Sequence, residues 1–197
     1  MNAQEFWQSD FGDKYHKRNV NLVQNNYVMF SKIFAANNDI YPKSIIEFGA
    51  GTGQNLFALK QLFPFAKLTA LEINEKACKE LGRIHGLQVI NKSLDYVTKK
   101  YDLVLTKGLL IHIPPRELND AYDVLYKASE KYILICEYFN PTPVMIKYRG
   151  EDDKLWKRDF AGEMLLLYDL ELVDYGFVYA KDEYPQDNLS WFLLKKK

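Results

Sequence analysis

The stretch Ile45-Ile46-Glu47-Phe48-Gly49-Ala50-Gly51-Thr52-Gly53, followed one helix later by Leu71-Glu72-Ile73-Asn74, decides the reading of this chain. An apolar strand that runs into a glycine turn brings bare backbone against a ligand, and an acidic residue ending the next strand can grip ribose hydroxyls. Glu72 lies 19 residues past Gly53, the length of a helix, a short loop and a strand, which puts it at the end of the adjacent strand. Such a pair points to an adenosyl ligand.

The glycine spacing separates the adenosyl ligands. A dinucleotide fingerprint carries glycines at its first, third and sixth positions, whereas here they occupy the first, third and fifth, and Gln54 stands where the sixth-position glycine belongs. This weakens a pyrophosphate reading and leaves a nicotinamide-dependent oxidoreductase disfavoured. S-adenosylmethionine, which has no phosphate, fits the turn.

With 197 residues and 48% hydrophobic content the chain is sized for one globular domain. Lysine plus arginine equals aspartate plus glutamate at 26 each, so no global field draws it to nucleic acid or anionic lipid. No apolar run approaches the roughly 18 residues of a membrane span, and the N-terminus lacks the basic start and apolar core of a secretory leader. A cytoplasmic protein with no nucleic-acid or membrane partner is expected. Cys78 and Cys136 stand alone, without metal or redox spacing, and read as reduced core residues; no metal site is expected.

From residue 44 onward β-branched runs alternate with amphipathic stretches, the rhythm of a parallel sheet with helices on both faces. Strands are expected at about 44–48, 67–72, 88–91, 101–106 and 132–138, and helices at 55–63, 116–129 and 159–169. Two extended runs at 172–181 and 189–195, with no helix between them, should pair antiparallel.

That order resembles the class I S-adenosylmethionine-dependent methyltransferases, on the strength of EFGAGTG at 47–53, LEIN at 71–74, NKSLDY at 91–96 and LVLTKGLLIHI at 103–113. More narrowly, FWQSDFGDKYHKRN at 6–19, GTGQNLFALK at 51–60 and EYFNPTPVMIKYRG at 137–150 are similar to methylases associated with pseudaminic acid biosynthesis, a surface-sugar pathway. The resemblance implies an α/β, Rossmann-like methyltransferase fold: a seven-stranded, mostly parallel sheet with a C-terminal antiparallel hairpin strand and helices on both faces. It divides the chain into an N-terminal helical lid or cap, 1–40, and an S-adenosylmethionine-binding domain, 41–197. The implied activity is methyl transfer to a small polar metabolite, such as an acidic sugar or nucleotide-sugar; the alternative is a catalytically silent adenosyl- or partner-binding module on the same fold.

The same resemblance assigns roles. Gly49, Ala50, Gly51 and Gly53 would wrap the methionine and ribose, with Glu47 and Asn55 beside the turn. Glu72 would hold the ribose through two hydroxyls, Ile73 would pack on adenine, and Ser93 and Leu94 would meet its edge. Asn91-Lys92 stands where Gly-Asp is usual, so Ser93 or Asp95 must substitute for the missing carboxylate. Lys107 and Gly108 would line the methionine end, and Tyr15 and Arg18 would reach the cofactor from the lid. His112 is the candidate base for a hydroxyl acceptor, with a structural role the competing reading. Trp7, Tyr148, Arg149 and Arg158 are candidate substrate contacts, from an aromatic lid and a loop that interleaves cations with aromatics.

Overall fold

In a computed structural model, residues 3–18 and 22–197 are described, with side chains described for 4–15 and 22–197. Four parallel neighbours build the sheet outward from β1 (Ser44–Phe48): β2 (Lys67–Glu72) and β3 (Leu87–Asn91) on one side, β4 (Tyr101–Lys107) and β5 (Ser129–Glu137) on the other. Two dipeptides form a separate ribbon, β6 (Val144–Met145) with β7 (Trp156–Lys157). The sheet is completed by β9 (Leu189–Lys196), antiparallel to β5 and to β8 (Leu170–Val178), giving the order β3-β2-β1-β4-β5-β9-β8. The expected seven-stranded sheet with its antiparallel hairpin is therefore the observed one.

Strand alternation divides the core into two layers. Ile45, Leu103, Leu105, Leu134 and Leu193 face one side, where α3 (Val23–Ala36) and α4 (Gln54–Leu62) cover them. Their chain neighbours Ile46, Val104, Ile133 and Leu194 face α6 (Leu118–Ala128) and α7 (Phe160–Leu167). Both faces are covered at the centre of the sheet, where β1, β4 and the second half of β5 are buried on both sides, the signature of a buried parallel sheet. α3, which the sequence groups with the N-terminal cap, sends Met29, Phe30, Ile33 and Phe34 into the core. Among the described residues no helix is long and apolar enough to cross a membrane.

The N-terminal helix pair, here called the cap, is α1 (Ala3–Gln8) and α2 (Asp10–Arg18). Phe6 is buried, its ring 4.2 Å from that of Phe11, and the helices close on each other at Gly12, where a Cβ would stand 2.0 Å from the Trp7 carbonyl oxygen. The cap rests on the start of α5 (Glu75–Leu81), to which Asp13 is ion-paired through Lys76.

Register locates the functional edge. Phe48 sits opposite Leu71, so the chain leaves β1 beside Glu72, and Lys107 and Glu137 end β4 and β5 at the same carboxyl edge. Successive strands run away from β1 in one direction until β3 and in the other from β4, and this reversal opens a crevice above the β1–β4 boundary.

Candidate functional site

The glycine turn is held to β2 by its own backbone: Gly49 and Ala50 donate their N–H groups to the Leu71 carbonyl at 2.9 and 3.1 Å. Gly49, Gly51 and Gly53 all have positive φ, at 68°, 54° and 83°, which only glycine adopts without strain. The third has a packing reason as well, since a Cβ on Gly53 would meet Leu81 Cδ2 and Ile84 Cδ1 at 2.8 and 2.9 Å. Gly53 is the N-cap of α4 and lines neither cavity described below, so its part is to shape the turn.

Glu72 reaches across to that turn. Its Oε2 accepts the Gly51 N–H at 2.7 Å, and its Oε1 accepts those of Ile73 and Asn74, both at 2.8 Å. The sequence reading had this carboxylate accept two ribose hydroxyls. Here three backbone donors occupy the carboxylate, and of its four lone-pair positions one, on Oε2, stays open. Glu72 is thus a staple for the turn. Asn91, at the position where glycine is usual, donates to the Glu72 and Ile73 carbonyls at 3.0 and 3.1 Å and braces the end of β2.

Glu72 borders a cavity of about 420 Å³ that runs from Gly49 and Gly51 past Ile73, Ser93 and Leu94. The Ser93 hydroxyl donates to the Asp95 carboxylate, and both line this cavity on the side away from the turn. A second cavity, of about 300 Å³, lies on the other side of the turn and is lined by Ala50, Asn55, Tyr148 and Arg149. Gly49, Gly51, Lys107, Gly108, Tyr15 and His112 line both, so the two chambers meet there.

Beneath the junction Glu47 is fully buried, with Asn55 Nδ2 donating to its Oε1 at 2.5 Å. Among the described residues its Oε2 and the Asn55 Oδ1, both buried, have no partner. Burial raises its pKa from 4.5 to about 8, against the opposing pull of Asn55 and Lys107. Between these values the folded protein holds a proton that the unfolded chain has lost, so this group makes stability fall as pH rises from 4.5 to about 8. Glu47→Gln should flatten that fall, measured as the difference in melting temperature between variant and parent across the interval. An unchanged difference would contradict a neutral Glu47.

His112 lies in the short 3-10 turn after β4, and Glu137 holds the turn in place by accepting the N–H groups of Leu109, Leu110 and Ile111 at 3.0, 3.1 and 3.4 Å. Desolvation pushes the Glu137 carboxyl up to about 7 despite these donors. The His112 Nδ1 stands 2.7 Å from the Lys154 carbonyl oxygen, which can only accept, so Nδ1 carries the hydrogen and Nε2 has a lone pair. Burial lowers the imidazole pKa to about 4, so the ring is neutral at physiological pH. It sits among Trp7, Tyr148 and Tyr15, with centroids at 4.6, 5.1 and 6.5 Å.

The remaining predicted residues divide. Arg149 is exposed at the rim of the second cavity with φ 53°, at the tip of a tight turn closed by two Tyr148–Glu151 backbone bonds. Arg158 lines neither cavity; its Nε donates to Glu163 Oε1 at 2.8 Å, and Glu163 Oε2 accepts the buried Tyr122 hydroxyl at 2.8 Å. This placement ties Arg158 to α7, away from the linings of both cavities. The side chain of Arg18 lies outside the described residues. Sequence reasoning missed Glu137, Tyr138 and Asp187. The last two share the wall of the second cavity, where Tyr138 donates to Asp187 Oδ2 at 3.3 Å.

No family model matches the sequence, and no curated protein matches it. Solved structures do. Magnesium protoporphyrin IX methyltransferase from Synechocystis PCC 6803 with bound SAH is 13% identical, with TM-score 0.74 and full coverage of both chains. The 1,6-didemethyltoxoflavin-N1-methyltransferase of Burkholderia thailandensis, bound to its substrate and S-adenosylhomocysteine, is 15% identical with TM-score 0.73, covering 100% of this chain and 91% of that one. The plantazolicin methyltransferase BpumL in complex with SAH is 14% identical with TM-score 0.67, covering 99% and 94%. The chain thus has the Rossmann-like fold of the S-adenosylmethionine-dependent methyltransferases over its whole length.

Proposed function

We propose that the chain is an S-adenosylmethionine-dependent methyltransferase acting on a small polar acceptor. The observation that carries this reading is the Gly51 N–H to Glu72 Oε2 bond on the wall of the larger cavity, which fixes a side-chain-free turn beside a carboxylate with one acceptor position left. The site fits the cofactor on two further counts. Backbone without side chains borders both chambers, and Glu47 Oε2 and Asn55 Oδ1 are polar atoms still without partners beneath the turn. Solved structures of the same fold carry SAM or SAH.

When bound, the cofactor supplies an electrophilic methyl group on a sulfonium. The chain's part is alignment and exclusion of water, with Glu72 and the glycine turn fixing the nucleoside end, Tyr15 closing the junction of the chambers and Trp7 the wall of the larger one. His112 Nε2, unprotonated with Nδ1 anchored, is positioned to accept a proton from an acceptor hydroxyl. His112→Ala should lower turnover by about 10²–10⁴-fold while leaving cofactor binding intact. The acid limb of kcat/KM should fall toward about 4 and show no inflection near the ordinary value of 6.5. An inflection near 6.5 that survives in the variant would remove His112 from this role.

The acceptor reading is a sugar or nucleotide-sugar. It is supported by the placement of Tyr15, Tyr138, Tyr148 and Arg149, all on the wall of the second cavity and all within the two segments that resemble the pseudaminic acid-associated methylases. Arg149 and Asp187 give that wall both charges, which suits an acceptor with hydroxyls and a single anionic group better than a polyphosphate. Two unpaired cysteines support a reducing, cytoplasmic setting. The test is incubation of the protein and methyl-labelled cofactor with a metabolite extract. Label in a sugar-sized product with stoichiometric S-adenosylhomocysteine is expected; cofactor binding without any S-adenosylhomocysteine formation would favour the silent module.

A further inference from the structure

Asn74 stands where three parts of the molecule meet. Its backbone N–H donates to Glu72 Oε1 at 2.8 Å, and its side-chain Oδ1 accepts the Ala77 N–H at 2.9 Å as the N-cap of α5. Its Nδ2 donates twice into the cap, to the Trp7 carbonyl and to Asp13 Oδ1, both at 3.1 Å. The residue is 1% exposed, so these bonds form out of water, and both amide hydrogens are used. Trp7 in turn packs on His112 and lines the larger cavity.

We propose that Asn74 is a positioning residue that latches the N-terminal cap to the ribose carboxylate, so that cofactor binding and cap closure stabilise each other. This rests on the cofactor reading above. Glu72 Oε1 is filled by the Ile73 and Asn74 N–H groups while Oε2 keeps one open acceptor position, so the Asn74 peptide holds the carboxylate in the orientation that presents Oε2 to a ribose hydroxyl. A ribose hydroxyl on Oε2 and the cap's bonds to the Asn74 side chain therefore favour the same placement of Glu72 and Asn74, and each supports the other. By linkage, whatever cap closure contributes to cofactor affinity, the cofactor contributes equally to cap closure. The cap then closes when the nucleoside is in place and excludes water from the occupied site.

Asn74→Asp tests this without removing the helix cap, because aspartate caps as well as asparagine. The new side chain keeps Oδ1 for Ala77 and turns the donor toward Trp7 and Asp13 into an anionic acceptor. Two readouts are taken with S-adenosylhomocysteine as the probe: affinity by calorimetry, and the rate of tryptic cleavage after Lys14, an exposed residue of α2. In the parent, the probe should slow cleavage about tenfold or more. In Asn74→Asp, affinity should fall about tenfold, as expected for one hydrogen bond of about 1.4 kcal/mol, and cleavage should be fast with or without the probe. Adding Asp13→Asn to Asn74→Asp returns a donor to the pair and should recover part of both losses. Parent-like affinity and probe-dependent protection in Asn74→Asp would reduce Asn74 to a helix cap and overturn the latch alone, as would an affinity loss that leaves protection intact and is not recovered by Asp13→Asn. A parent that binds no S-adenosylhomocysteine overturns the cofactor reading and the linkage together.

Discussion

Replacing Glu72 by alanine should lower affinity for S-adenosylmethionine about ten- to a hundredfold and also lower the melting temperature, and the second effect distinguishes this account from a purely ligand-binding carboxylate. The affinity loss follows from one charge-assisted hydrogen bond of about 1.5–3 kcal/mol. The stability loss follows from the three N–H groups of Gly51, Ile73 and Asn74, which lose their acceptor together. At about 1 kcal/mol each the total is about 3 kcal/mol, or roughly 6–12 °C for a domain of this size. Glu72→Gln keeps one carbonyl oxygen and should fall between parent and alanine on both scales. Differential scanning fluorimetry with and without cofactor reads both. A Glu72→Ala protein as stable as the parent would contradict the stapling role.

The second large effect is expected at Glu137, 3% exposed and bonded to three consecutive N–H groups of the turn that carries His112. Glu137→Ala strips those donors in a site water cannot easily reach, and should destabilise the fold by about 3 kcal/mol or more. Turnover should fall at least about tenfold in the protein that remains folded, because Gly108 and His112 flank the loosened segment. Glu137→Gln is the control. Both Leu109 and Leu110 donate to the same oxygen, Oε1, and only the long Ile111 bond uses Oε2, so glutamine preserves the two shorter bonds and should stay within about 1 kcal/mol of the parent. Equal losses in the two variants would show that charge, and not the carbonyl acceptor, holds the turn.

The residues that set the sheet are local and were legible: each of β1, β2, β4 and β9 starts or ends within one or two residues of where its apolar run does. β5 begins earlier than its apolar run, at Ser129, because α6 ends on that residue in extended backbone and passes directly into the strand. The ribbon of β6 and β7 is two residues a side, too short for any period to register. At the site, the positions of Gly51 and Glu72 followed from element lengths, but the use of the carboxylate did not, since its donors are backbone groups that every residue carries. Glu137 acts on residues 26 to 28 positions away. Asp187 reaches the second cavity because Pro185 and Gln186 are bonded to Asn25 and Asn26 across 160 residues of chain, a contact no local pattern encodes. The pairing of Arg158 with Glu163 was hidden for the same reason, becoming visible only once α7 is in place.

The account stands on a cradle made by the glycine turn and Glu72 for a sulfonium nucleoside, and titration calorimetry of the parent protein with S-adenosylmethionine, S-adenosylhomocysteine and NAD tests it most directly. Saturable one-to-one binding of the first two and no measurable binding of NAD is the predicted result. Absence of binding to both adenosyl ligands by the folded protein, or preference for NAD, would contradict it.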